Sequence, residues 1–239
     1  MAPTLPDVTS LATLPETTIT TVLDLLFEPS KDLHTLAVPT LRSITFASYP
    51  ELIDTIRDQL LAILNNVHSS PKDCQPLLSV LGSHPRLGEK KVESAQSAAE
   101  QAQLNKGPEG EAERLAALNK EYEEKFPGLR YVVFVNGRSR DVIMEDMRRR
   151  IDRADFVAEE KDAINAMADI AKDRAGKLEK ESEESTVGRS ALPEVYSKAQ
   201  FVPNGPGDPQ LARHQKTDPR AETNTAVHLG YSSNEAWAM

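Results

Sequence analysis

The apolar positions of this chain fall mainly at helical intervals. Ile19, Val22, Leu23, Leu25, Leu26 and Phe27 give residues 17–28 the density of a buried helix, which Pro29 ends. Residues 31–40 form only a short segment, and it contains Pro39. Ser48-Tyr49-Pro50-Glu51 has the spacing of a capping box with proline in the first turn, and Leu52, Ile53, Ile56, Leu60, Ile63 and Leu64 continue it as one apolar stripe. Pro76-Leu77-Leu78-Ser79-Val80-Leu81 is a short apolar run. Leu115, Leu118, Tyr122 and Phe126 predict an amphipathic helix over 111–126, broken by Pro127-Gly128. Ile143, Met147 and Ile151 predict another over 141–152, and Ile164, Met167, Ile170, Ala171 and Leu178 a last one over 158–180.

Tyr131-Val132-Val133-Phe134-Val135 departs from that period and has strand-like composition, with Asn136-Gly137 after it as a hairpin signal. No second run of that kind follows, so a sheet has nothing to pair with. The segment is expected to be buried and extended, an ordinary core strand being the alternative. Ser69-Ser70-Pro71 and Gly107-Pro108-Glu109-Gly110 read as loops. From Glu181 the composition turns polar, and Pro203-Asn204-Gly205-Pro206-Gly207-Asp208-Pro209 cannot hold regular structure. The expectation is an all-α fold: a compact multi-helix bundle with one buried extended segment and a mostly disordered C-terminal tail. Its parts are an arm at 1–14, the helical domain at 15–180 and the tail at 181–239. No internal repeat is visible.

Composition narrows the function classes. A formal charge of −9 over 239 residues argues against a nucleic-acid partner, which needs a basic stripe for phosphates. No run approaches the length needed to cross a membrane. The first residues lack a basic start and a long apolar core, so no secretory leader is expected. Cys74 is the only cysteine, which excludes an intramolecular disulfide and a thiolate zinc site. His34 and His68 have no acidic or histidine neighbour three or four residues on and are read as structural or solvated; His214 and His228 lie in the tail. No metal site is expected. Arg148-Arg149-Arg150 reads as surface.

Candidate chemistry gathers between residues 84 and 101. Proline disfavours helical backbone at the residue before it and suits a first helical position, so His84-Pro85 is expected to hold an imidazole at a helix entrance. Ser97 and Glu100 then share one helix face. An imidazole, a hydroxyl, a carboxylate and the Gln101 amide can meet there. Both features also have plain readings, since Ser-x-x-Glu is the capping-box pattern and a histidine before proline is commonly an ordinary turn residue.

His84-Pro85-Arg86-Leu87-Gly88, Ser97-x-x-Glu100-Gln101, Leu118-Asn119-x-x-Tyr122-x-x-Lys125-Phe126 and Tyr131-Val132-Val133-Phe134-Val135, in that order, resemble the OHCU decarboxylase family over about residues 15–180. That family acts on 2-oxo-4-hydroxy-4-carboxy-5-ureidoimidazoline, between urate and (S)-allantoin. The resemblance implies a cofactor-free carboxy-lyase with His84 and Glu100 catalytic, His84 giving the proton and Glu100 either orienting the substrate or keeping His84 charged. It implies a substrate-binding set of Pro85, Ser97, Ala98, Ala99, Gln101, Tyr131, Val132, Val133, Phe134 and Val135. The implied partner is a small ureidoimidazoline, and a homodimer is compatible with it. Relatives are often peroxisomal; the C-terminal Ala236-Trp237-Ala238-Met239 is unlike Ser-Lys-Leu, so the cytoplasm is expected, with the peroxisome as alternative.

The family's Phe-Gly-Phe-Pro-Phe becomes Phe126-Pro127-Gly128-Leu129-Arg130-Tyr131, and Arg86 stands where the family commonly has Asp. Ile164 falls near the place of an expected late-helix arginine, leaving Arg138 or Arg140 as candidate carboxylate partners. These departures motivate the competing reading of a non-catalytic helical interaction protein that retains the fold. A related ureide hydrolase is a third reading, weakened by the lack of a metal-ligand cluster or activated nucleophile.

Overall fold

Helix begins early and dominates. The computed structural model describes residues 4–67, 74–89, 95–102 and 110–190. A short 3-10 helix, Val8–Thr13, precedes α1 (Glu16–Leu26), α2 (Lys31–Ser43), α3 (Tyr49–Val67), α4 (Cys74–Leu81), α5 (Ala95–Ala102), α6 (Glu111–Lys125), α7 (Arg140–Arg153) and α8 (Phe156–Ser190). Among the described residues there is no strand, and no helix is long and apolar enough to cross a membrane. They fall within one compact unit, Met1–Pro193. The fold is all-α.

Local chemistry explains the helix starts. Ser30 accepts from the Leu33 N–H at the head of α2, and Ser139 does the same for Val142 at α7. At α3 the Ser48 hydroxyl accepts from the Glu51 N–H at 3.3 Å, while the Glu51 carboxylate reaches back to the Ala47 N–H at 2.7 Å. Pro39 does not end α2, which runs on to Ser43. Its ring side is exposed, and the Gln59 amide of α3 donates to the Leu36 carbonyl at 2.7 Å, satisfying backbone beside the turn that the proline disturbs.

Packing follows the stripes. α3 and α8 share the longest helix contact, α1 lies against α2 and α8, α4 fills in against α2, α3 and α8, and α6 pairs with α7. Ile19, Leu23, Leu26, Leu41, Leu52, Ile56, Leu60, Met167 and Ala171 are all buried in this core. Tyr122, Phe126, Tyr131 and Phe156 join it as an aromatic chain. His34, read as structural or solvated, meets Asp24 of α1 at 2.6 Å and ties α2 to α1.

Residues 131–135 run without regular secondary structure, with Tyr131 and Val132 buried. Asn136 and Gly137 take left-handed φ values of 42° and 72° and turn the chain. This turn leads into α7 and closes no hairpin. Arg150 accounts for the segment's fixed course: its Nη1 donates to the Val132 carbonyl at 3.1 Å, and its guanidinium lies 4.8 Å from the centre of the Tyr131 ring. Arg150 is buried, which corrects the surface reading of the arginine run. It is ion-paired with buried Glu159, which also accepts from the Tyr122 hydroxyl and from Arg153.

α8 begins two residues before the expected 158 and continues beyond 180. Residues 181–190, expected to begin the tail, are the end of α8, while the Ser69-Ser70-Pro71 loop, His68, and residues 191–239 with His214 and His228 lie outside the described residues, as does most of the Gly107–Gly110 turn.

Candidate active site

The backbone at His84 differs from expectation. No helix starts at Pro85. Arg86 to Glu89 form a turn instead, with the Glu89 N–H donating to the Arg86 carbonyl at 3.1 Å and the Glu89 carboxylate accepting from the Arg86 N–H at 3.2 Å. Gly88 closes it at φ 81°, a left-handed geometry where a side chain would be strained, and a Cβ there would stand 2.7 Å from Leu115 Cδ2. The next helix, α5, starts at Ala95. Three contacts hold the corner: the Asn119 amide donates to the Leu87 carbonyl at 2.9 Å, Arg130 to the His84 carbonyl at 2.8 Å, and Arg86 to Glu123 of α6.

The corner delivers His84 into a cavity of about 50 Å³ lined by His84, Pro85, Leu87, Ser97, Glu100, Tyr131, Val132, Val133, Val135 and Ile170. His84, Glu100, Pro85, Ser97, Tyr131, Val132, Val133 and Val135 therefore meet. Leu87 and Ile170 complete the wall and were not anticipated. Phe134 lines a separate cavity with Asn136, Arg138 and Arg149, and Ala98 is exposed on α5 outside the His84 cavity. The side chains of Ala99 and Gln101 lie outside the described residues.

His84 is 5% exposed, and its Nε2 has no hydrogen-bond partner among the described residues. Burial, then the positive charges of Arg174 and Arg130, push its pKa from the ordinary 6.5 down to about 3. The imidazole is neutral in the resting site. Of the two roles expected for Glu100, keeping His84 charged is overturned, because the Glu100 carboxylate is committed to Arg174: Nε to Oε1 at 2.7 Å and Nη2 to Oε2 at 2.9 Å.

Arg174, a buried arginine of α8, stands ten residues beyond Ile164, near which the family resemblance had led one to be expected. It is 2% exposed, and besides Glu100 its guanidinium donates to Ser97 Oγ at 2.8 Å, Glu28 Oε1 at 2.9 Å and the Phe27 carbonyl. Arg138 and Arg140, the expected substitutes, are engaged elsewhere. Arg138 donates to the carbonyls of Phe134 and Val135, and Arg140 pairs with Glu111 at 3.1 Å. A signal for Arg174 did exist, since it stands four residues after Ile170 and four before Leu178 on the buried stripe of α8. Glu28, at the end of an apolar helix, is equally out of place for a surface carboxylate. Among the described residues no group of three or more histidine, cysteine or acidic side chains is arranged to hold a metal.

The buried neutral imidazole has a measurable consequence. Below 6.5 the unfolded chain takes up a proton at residue 84 that the folded chain refuses until about 3, so acid favours unfolding. The urea midpoint of the wild type should fall between pH 7 and pH 5 by more than that of His84→Asn. Equal falls in the two proteins would remove this account.

A comparison with curated proteins found no match. The family model for OHCU decarboxylase matches residues 12–176, well over half of the sequence. That span takes in the His84 corner, the Glu100–Arg174 pair and the 131–135 segment, and on it the chain belongs to the OHCU decarboxylase family, whose members are decarboxylases of urate catabolism.

Proposed function

We propose that the protein decarboxylates 2-oxo-4-hydroxy-4-carboxy-5-ureidoimidazoline to (S)-allantoin without a cofactor. The observation that carries this reading is the meeting of a buried, unprotonated His84 with Glu100, Ser97 and the 131–135 segment in one cavity. The substrate provides its own electron sink. When the bond to the carboxylate breaks, its electron pair moves toward the adjacent C=N, whose nitrogen takes a proton supplied from solvent, and CO2 leaves an enol. The enol must then lose its hydroxyl proton, and the carbon bearing the ureido group must gain one on a single face.

A neutral imidazole offers a lone pair for the first half of that transfer, and the burial that weakens it as a base makes its conjugate acid strong for the second. His84 takes the hydroxyl proton, and the imidazolium so formed, destabilised by burial and by two nearby guanidinium groups, is a strong acid toward carbon. Glu100 and Ser97 orient the ureido and ring groups, and Pro85 with Tyr131, Val132, Val133 and Val135 excludes water. Gln101, Ala98, Ala99 and Phe134 stay in the proposal only as the family resemblance implies them.

The test is to supply freshly generated urate-oxidation products and follow the chirality of the allantoin formed. Accumulation of the (S) enantiomer faster than in buffer is the expected result. Racemic allantoin at the spontaneous rate would exclude the reading and favour a non-catalytic helical protein.

A further inference from the structure

Glu28 lies next in line behind the cavity residues, and the proposed mechanism gives it no part. Its side chain is 4% exposed at the end of α1, where Ser30 and Pro29 separate it from α2. The Ser97 hydroxyl donates to Glu28 Oε1, and Arg174 Nη2 donates to the same oxygen at 2.9 Å. Arg174 Nη2 also donates to Ser97 Oγ at 2.8 Å, so carboxylate, hydroxyl and guanidinium form a closed triangle. Arg174 spreads its remaining donors over Glu100 and the Leu26 and Phe27 carbonyls. One guanidinium thus faces two carboxylates, Glu28 behind the cavity and Glu100 in its wall.

We infer that Glu28 is a positioning residue of this site, aligning Ser97 and dividing the charge of Arg174 so that Glu100 is held toward His84 without being fully neutralised. The inference rests on the decarboxylase reading. It follows from the donor inventory: a hydroxyl has one proton, and Glu28 takes it, which fixes the rotation of the Ser97 Oγ–H bond. With Glu28 neutral, the whole charge of Arg174 falls on Glu100, whose carboxylate then binds the arginine more tightly and the substrate less freely. α5 is only eight residues long and depends on tertiary contacts for its place. Of its described side chains, Ser97 and Glu100 carry those ties to α1 and α8.

Glu28→Gln keeps the shape and an acceptor for Ser97, and it leaves Arg174 paired with Glu100, so folding is retained. The expected result is a kcat about 10- to 100-fold lower with KM within about threefold of wild type, since orientation and not occupancy is damaged. Glu28→Asp, which keeps the charge and shortens the reach, should recover part of the loss and serves as the test if the glutamine variant does not fold. In a Ser97→Ala background Glu28→Gln should add less than its effect alone, because part of its loss is the weaker hydrogen bond that a neutral amide accepts from the Ser97 hydroxyl. Wild-type kcat in folded Glu28→Gln, or full additivity with Ser97→Ala, overturns the inference while an active wild type keeps the decarboxylase reading. An inactive wild type overturns both.

Discussion

Arg174→Met should lower the unfolding free energy by about 3–5 kcal/mol, the cost of removing one partner from a buried ion pair. The wild-type guanidinium is almost wholly enclosed, and Glu28 beside it is 4% exposed. Its loss leaves Glu28 and Glu100 as two like charges around Ser97, and it frees the Leu26 and Phe27 carbonyls from their side-chain donor. Methionine fills the space but supplies none of these hydrogen bonds. Arg174→Lys should recover only part, because a point ammonium cannot reach a fork of acceptors on α1 and α5 together. Urea denaturation measures the loss; a methionine variant within about 1 kcal/mol of wild type would show that the buried pair contributes nothing net, as happens when desolvation cancels attraction. A loss of the expected size is a large share of the roughly 5–15 kcal/mol that holds a domain of this kind together.

His84→Asn should do the opposite, sparing the fold and removing the reaction. The imidazole makes no side-chain hydrogen bond at Nε2, and it is the Arg130 bond to the backbone carbonyl of His84 that anchors the corner. Truncation to asparagine therefore breaks no hydrogen bond of that nitrogen with the described residues, and the thermal midpoint at neutral pH should stay near that of the wild type. The rate of (S)-allantoin formation should fall about 10²- to 10⁴-fold, the usual contribution of a placed proton-transfer group. What allantoin still forms should be racemic, because water then protonates the new carbon from either face. A folded variant that keeps both rate and chirality would remove His84 from the mechanism.

Much of the helical framework was legible from spacing alone. The apolar stripes of α3, α6, α7 and α8 repeat at 3.6 residues over several turns, and such a period admits one reading. Pro39 misled because its exposed position on α2, with Gln59 opposite, is a fact about two helices. The His84-Pro85 corner was located correctly in the chain, but a helix was expected where Gly88 and Glu89 build a turn. Arg150 looked like surface because a run of three arginines has no face until α7 packs on 131–135.

What the linear order determined, then, is the all-α class, the break at 131–135, and an imidazole, a hydroxyl and a carboxylate within one stretch, which line one cavity. What only the tertiary structure decided is their electrical state. Arg174 is 74 residues from Glu100 and 146 from Glu28, and no local spacing brings those three together. Once they meet around the almost fully buried Arg174, the arginine holds both carboxylates and buried His84 is left neutral, because a buried charge takes whichever partner the packing offers and not the one nearest in sequence.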